Sequence, residues 1–111
     1  MKKTFADLEF KEHTIAKGTK YIFDKAPSMK EFEHFQDMLD AKQAVVTFDN
    51  GIKLSVVFGK CFYSNGIDTY EAMELSDNKI GLEPQGYLTV DELNKFMSDL
   101  QDLPDEKEIQ S

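Results

Sequence analysis

The sequence contains no arginine and only one cysteine. Each of these features excludes a class of function or of covalent structure. All 13 basic residues are lysines, against 21 acidic residues, which gives a net charge of −8. Direct binding to nucleic acid is disfavoured, because affinity for a phosphate backbone requires clustered Lys or Arg that displace counterions. The lone Cys61 cannot form an internal disulfide, which fits a reducing compartment.

Long apolar runs are also missing. No apolar stretch approaches the roughly 18 residues that a membrane-spanning helix needs. Asp7 and Glu9 interrupt the N-terminal stretch before the apolar region of a signal peptide could form. A chain of 111 residues with 41% hydrophobic residues can support one modest core. We therefore expect a single domain over residues 1–111, in the cytoplasm and without membrane contact.

Residue types that bind metals or perform catalysis are scattered along the chain. His13, His34 and Cys61 lack the paired spacing of a zinc site. Glu31 and His34 form one E-x-x-H motif, whereas a di-iron site needs two such motifs and further carboxylates. Cys61 beside a histidine would be a candidate nucleophile, but it follows an apolar strand, where cysteine is more often a small buried hydrophobe. The sequence predicts no metal, no cofactor and no catalytic residue, and hence a non-enzymatic role.

The clearest structural signal lies near the C-terminal end. Thr89 precedes Glu92 by three residues, which is the spacing of a capping box at a helix start. Four apolar residues follow at helical spacing and predict a buried stripe: Leu93, Phe96, Met97 and Leu100. Pro104 is placed to end this helix near residue 102 or 103, and a frayed acidic tail over about 104–111 should follow.

Residues 43–83 are typical of an antiparallel sheet. Apolar and polar residues alternate on both sides of Asn50-Gly51, which predicts a hairpin with a two-residue type I′ turn. A third strand, "TYEAMEL", places Tyr70 and Ala72 on one face. The segment "IGLE", residues 80–83, could form a fourth strand, and Pro84-Gln85-Gly86 breaks the chain again.

The N-terminal part carries weaker signals. Alternating residues around Leu8 and Tyr21, separated by a polar turn at Gly18, predict irregular strands. Ser28 and Glu31 form a second capping-box pattern. Apolar residues at helical spacing follow and predict a helix from Met29 to Ala41: Phe32, Phe35, Met38 and Leu39. The predicted fold is α+β, with a three- to four-stranded antiparallel sheet, the C-terminal helix across one face and the helix near 29–41 beside it or at the edge.

Three segments combine into a recurring pattern: "FDNGIKLSVVFG", "YSNGIDTYEAMEL" and "GYLTVDELNKFMSDLQDL". This pattern, over roughly residues 46–103, resembles a class of small uncharacterised tailed-bacteriophage proteins. The resemblance implies a phage accessory protein that acts in the cytoplasm of a bacterial host cell. It transfers no catalytic residue to this chain. Residues 29–41 depart from the pattern and could be an insertion that carries a partner-binding surface.

Negative charge is concentrated at the C-terminal end, where residues 89–111 hold seven acidic residues against two lysines. Six of these acids are candidate partner-binding residues: Asp91, Glu92, Asp99, Asp102, Asp105 and Glu106. We expect the partner to be a host or defence protein with a basic surface, including one that normally holds nucleic acid. Phe32 and Phe35 are a second candidate contact. The alternatives are a surplus of acids that only maintains solubility, a self-associating structural module, and a small enzyme without a motif. For the oligomeric state we expect a monomer or a homodimer.

Overall fold

The computed structural model describes residues 2–75 and 83–104. Its five-stranded antiparallel sheet follows the chain order: β1 (Lys11–Glu12), β2 (Lys42–Thr47), β3 (Lys53–Phe58), β4 (Tyr70–Glu74) and β5 (Gln85–Leu88). The helices of this part of the chain are α1 (Thr14–Lys25), α2 (Glu33–Leu39) and α3 (Val90–Gln101). The predicted α+β fold with an antiparallel sheet and a C-terminal helix is confirmed. The sheet gains a strand at the β1 edge, where the two residues Lys11 and Glu12 carry no apolar alternation.

One face of the sheet carries the main core. Cross-strand partners lie in register across three strands, with Ala44, Val56 and Ala72 in one row. Helix α3 packs against this face, and the main core consists of Val46, Phe48, Ile52, Leu54, Val56, Ala72, Leu93, Met97 and Leu100. Phe96, predicted as part of the buried stripe, is only partly buried. The stripe of α3 is therefore read correctly, with Leu93 and Met97 at its centre.

The N-terminal segment closes one end of this core. Four rings pack together with centroid separations of 5.2 to 6.0 Å: Phe5, Phe10, Phe58 and Tyr70. The Phe5 main-chain N–H donates to Asn94 Oδ1 over 2.8 Å. The side-chain amide of Gln101 pairs with both main-chain groups of Lys3, accepting from its N–H at 2.7 Å and donating to its carbonyl at 2.8 Å. Residues 3–5 are thereby held against α3.

The hairpin between β2 and β3 contains the first Asn-Gly pair. Phe48 N–H donates to the Ile52 carbonyl and Gly51 N–H to the Phe48 carbonyl, both over 2.9 Å. Gly51 has φ 90°, whereas Asn50 is not among the residues with positive φ. The predicted type I′ turn is therefore wrong, because it needs positive φ at both central residues. The loop has three residues and closes on a left-handed glycine.

Asn50 also reaches the end of α3. Its Nδ2 donates to the carbonyls of Leu100 at 2.8 Å and Leu103 at 3.1 Å, while its Oδ1 accepts from Ile52 N–H at 3.2 Å. The last carbonyls of a helix have no partner within the helix. The hairpin side chain therefore donates to one carbonyl in the last turn of α3 and to one just beyond the helix.

Residues 14–25 form helix α1, so the strand predicted around Tyr21 is wrong. Ala16, Thr19 and Phe23 are buried at spacings of three and four residues, which is a helical stripe. His13 Nδ1 accepts from Ile15 N–H at 2.9 Å and caps the helix start. Burial of this stripe outweighs the local strand preference of the β-branched and aromatic residues around it.

The helix predicted from Met29 to Ala41 is shorter than expected. Pro27–Glu31 forms a 3-10 turn, and α2 begins at Glu33 with Phe32 as its N-cap and no side-chain cap. The Ser28 pattern is therefore not a capping box, because Ser28 lies inside the 3-10 segment and not at the N-cap of α2. Helix α2 packs against α1, where the Phe23 and Phe35 rings lie 6.5 Å apart. We call residues 14–39 the helical lobe.

Strand β5 lies where a chain break was predicted at residues 84–86. It pairs antiparallel with β4, and the register shifts between Tyr70 and Ala72. The fourth strand predicted over 80–83 lies outside the described residues except for Glu83, and the tail beyond Pro104 lies outside them entirely. In residues 2–75 and 83–104, no helix is both long and apolar enough to cross a membrane.

Candidate protein-binding surfaces

The acidic residues of α3 lie on a firmly capped helix. Thr89 Oγ1 accepts from Glu92 N–H at 3.2 Å, and a Glu92 carboxylate oxygen accepts from Thr89 N–H at 3.1 Å. The predicted capping box is confirmed. Asp91 and Glu92 occupy the first turn, where the helix dipole stabilises negative charge. Glu92 therefore has a structural role, while Asp91 is exposed.

The next acids of α3 have lysine partners at the surface. Asp99 Oδ1 lies 2.9 Å from Lys95 Nζ, and Asp102 Oδ1 lies 2.6 Å from Lys2 Nζ. The hydrogen bond to Asp99 raises the pKa of Lys95 above its ordinary value, and the negative charge of Asp99 adds to the effect. Exposed ion pairs of this kind are weak and exchange readily with other cations. Asp105 and Glu106 lie outside the part of the chain that the structure describes.

The two phenylalanines named from the sequence belong to the helical lobe. Their rings lie edge to face with centroids 6.2 Å apart. Phe35 is partly buried and also contacts Phe23, so it contributes to the small core of the lobe. Phe32 remains exposed and is the member of the pair that a partner could reach.

A surface that sequence reasoning missed lies where the loop over residues 59–69 meets β5. Tyr63 and Tyr87 are 64% and 59% exposed, and their rings lie edge to face with centroids 6.2 Å apart. We call these two residues the tyrosine pair. Ile67, on the same loop, is 78% exposed. Exposed apolar side chains that cluster mark interaction sites, where tyrosine is enriched.

Buried Ser64 fixes the loop that carries Tyr63. Its Oγ accepts from the N–H groups of Gly59 at 3.2 Å and Gly66 at 3.1 Å, and donates to the Thr69 carbonyl at 2.6 Å. One hydroxyl thus joins both ends of the loop and its middle. A buried network with all its groups satisfied favours one conformation.

The second Asn-Gly pair completes this network. Asn65 Oδ1 accepts from the N–H groups of Ile67, Asp68 and Thr69 at 2.8 to 3.1 Å. Asn65 Nδ2 donates to the Asp68 carboxylate at 2.7 Å, and Gly66 takes φ 72°. Both Asn-Gly pairs therefore build turns, as their composition predicts.

Three backbone features place Tyr87 beside Tyr63. Tyr87 has φ 55°, the left-handed region that costs a residue with a side chain about 1 kcal/mol or more. Its N–H donates to the Tyr63 carbonyl over 2.8 Å. A Cβ atom on Gly86 would lie only 2.6 Å from Tyr63 Cβ, so no larger residue fits there. The local sequence gave no signal of this arrangement, because it depends on a contact between distant segments.

The tyrosine pair lies near the sheet face that α3 leaves open. One cross-strand row of that face holds Val45, Ser55 and Met73. Val45 and Met73 are exposed, whereas Ser55 is buried and its Oγ accepts from Gln43 Nε2 at 2.8 Å. Glu71, on the same face, accepts a long hydrogen bond from Tyr63 N–H at 3.4 Å.

Neither a metal-binding cluster nor a reactive thiol stands out in the described ranges. No group of three or more His, Cys, Asp or Glu side chains within residues 2–75 and 83–104 is placed to hold a metal ion. Partial burial raises the pKa of the Cys61 thiol above its ordinary value, its main-chain hydrogen bond opposes this, and Asp37 adds to the increase. A thiol with a raised pKa holds little reactive thiolate at neutral pH. The side chain of His34 is outside the described part of the molecule.

Comparisons of this chain with models of protein families, with curated proteins and with solved structures give no significant match. The resemblance to tailed-bacteriophage proteins therefore stays a prediction.

Proposed function

We propose that this protein is a non-enzymatic accessory protein of phage type that binds a host or defence protein with a basic surface and modulates or inhibits it. It would do so in the cytoplasm of a bacterial host cell. The observation that carries the proposal is the set of exposed carboxylates on α3: Asp91, Glu92, Asp99 and Asp102. Because the helix is capped and packed on the sheet, these charges are held in a fixed arrangement.

Electrostatic attraction gives this arrangement a kinetic consequence. A negative surface raises the rate at which a basic partner is captured, because the field acts before the two surfaces touch. Salt shortens the reach of the field to about 8 Å at physiological ionic strength. The net charge of −8 adds to the attraction from every part of the molecule.

The test begins with affinity purification from the bacterial host and continues with association rates for the recovered partner. The neutralised variant combines Asp91→Asn, Asp99→Asn and Asp102→Asn, and leaves Glu92 in place because it caps the helix. We expect this variant to associate about tenfold more slowly at low salt, with a melting temperature close to that of the wild type. High salt should remove most of the difference.

Lys95→Gln is the matched control on the same helix. It makes the surface more negative, so association should become faster rather than slower. Rates that respond neither to these charges nor to salt would contradict the proposal.

A further inference from the structure

Tyr87 combines a strained backbone with an exposed side chain. Its left-handed backbone would suit glycine, which adopts φ 55° without strain. The ring is 59% exposed, so it adds little to the buried core. Strain that persists without a benefit to packing is characteristic of functional sites.

The surroundings are built to hold the ring in place. The register shift between β4 and β5 redirects the edge strand, as bulges do beside binding sites. Gly86 leaves room for Tyr63, whose carbonyl receives the Tyr87 N–H at 2.8 Å. The hydrogen bonds of Ser64 and Asn65 fix the backbone of the loop that carries Tyr63. Both rings are therefore presented in a preformed arrangement, which reduces the entropy lost on binding.

Acidic residues belong to the same segments as the tyrosine pair, and one of them contacts it directly. Asp68 is exposed on the loop of Tyr63, Glu71 accepts from Tyr63 N–H, and Glu83 is exposed just before β5. Lys60 is the single basic residue of the loop over residues 59–69. Aromatic faces attract Lys and Arg side chains, and carboxylates form charge-assisted hydrogen bonds with them.

We propose that the tyrosine pair, with Asp68 and Glu71, is a docking site for a flexible segment of the partner that carries arginine or lysine. Its cationic side chains pack on the two rings and pair with the neighbouring carboxylates. This assignment rests on the proposed function for the basic character of the partner. It places the main contact on the loop over residues 59–69 and β5, and leaves α3 the role of attracting the partner over distance.

The experiment titrates the full chain with a short unstructured peptide of alternating arginine and serine. Tyr87→Gly and Tyr63→Ala should each weaken binding by about tenfold or more, because each removes one aromatic face. Tyr87→Gly should melt at the same temperature as the wild type or higher, because it relieves the left-handed strain. Tyr21→Ala is the control, since Tyr21 is 66% exposed on α1 and should leave binding unchanged.

Other results would overturn the docking site or the proposed function. Wild-type affinity in Tyr87→Gly, or equal affinity of the wild type for a peptide of alternating glutamate and serine, would overturn the docking site. The docking site would also be overturned if the wild type were a dimer, Tyr87→Gly dissociated this dimer, and peptide binding were unchanged. The tyrosine pair would then bind a second copy of the chain. If only the neutralised α3 variant loses peptide affinity, the docking site fails and the proposed function survives. If the Tyr variants lose peptide affinity while the recovered partner ignores charge and salt, the proposed function fails and the docking site survives.

Discussion

Helices α1 and α3 both contain 12 residues, but the molecule holds them in different ways. Helix α3 buries Leu93, Met97 and Leu100 against a sheet that supplies the rest of the main core. Helix α1 buries Ala16 and Phe23 in the helical lobe, where its neighbour α2 has only seven residues. A helix gains most of its stability from the apolar surface it buries, so the partner matters more than the length.

Local interactions within and at the ends of the helices also favour α3 over α1. Helix α3 has a capping box at its start and receives the Asn50 amide at its last carbonyls. Helix α1 has the His13 cap at its start and contains Gly18 in its middle. We infer that the helical lobe opens before the sheet and α3, because local opening begins where buried contacts are fewest.

The largest effect is expected from a cavity in the main core, and a second cavity in the helical lobe tests whether the two regions unfold separately. Leu93→Ala should lower the free energy of unfolding of the whole protein by about 2 to 5 kcal/mol, because Leu93 is completely buried in the main core. Phe23→Ala should instead expose residues 14–39 to hydrogen exchange while β2 to β4 stay protected. Urea unfolding and hydrogen exchange measure the two effects. Loss of protection in the sheet of Phe23→Ala would show that the lobe and the sheet unfold as one unit.

A smaller effect is expected from the link between the hairpin and α3. Asn50→Asp should cost about 1 to 3 kcal/mol of stability, because it removes two donated hydrogen bonds and places negative charge at the carbonyl end of a helix. Asn50→Ala loses the same bonds without the charge, so it should be less harmful, and added salt should narrow the gap. Thermal unfolding of the wild type and the two variants at two salt concentrations measures both the loss of stability and its dependence on salt. Equal stability of Asn50→Asp and the wild type would show that the amide contributes nothing to the helix end.

The smallest expected effect strengthens the weaker helix. Gly18→Ala should stabilise the helical lobe by about 0.5 to 1 kcal/mol, because a Cβ atom at Gly18 meets nothing within 4 Å and alanine is the better helix former. Hydrogen exchange of residues 14–25 should slow accordingly. Gly59→Ala is the contrasting control, since Gly59 has φ 139° and its added Cβ would lie 3.3 Å from Ala41 Cα. Stabilisation by both substitutions would contradict the assigned backbone geometry.

The sequence predicted strands β2, β3 and β4 and helix α3, because the signals for these elements are local. Thr89 and Glu92 are three residues apart and bond to each other, and the stripe through Leu93 and Leu100 belongs to one helix. The α+β class follows from these elements. Helix α1 was not predicted, because two members of its buried stripe, Ala16 and Thr19, are small or polar. The large apolar residues of this segment therefore do not form a continuous helical pattern. The second helix begins at Glu33 because residues 27–31 form a separate 3-10 segment, which the periodicity of the apolar residues does not reveal.

The two candidate surfaces also differ in whether the sequence predicts them. The acids of α3 could be named from charge and helical spacing alone, although the structure adds the Lys2 pairing of Asp102 and the capping role of Glu92. The tyrosine pair could not be found, since it joins residues 24 positions apart in the sequence through a left-handed backbone. No periodicity in the sequence reports either feature.

The pairing of Gln101 with Lys3 has a consequence for the order of events during synthesis. The two residues are separated by 98 positions, yet they exchange two hydrogen bonds. The ribosome therefore adds Lys3 to the chain 98 positions before Gln101. Until α3 has emerged, Phe5 lacks the Asn94 acceptor, and the rings that close the core have no helix to meet. The N-terminal segment can therefore take its final place only after α3 has been synthesised, and contacts of such long sequence separation slow the final step of folding.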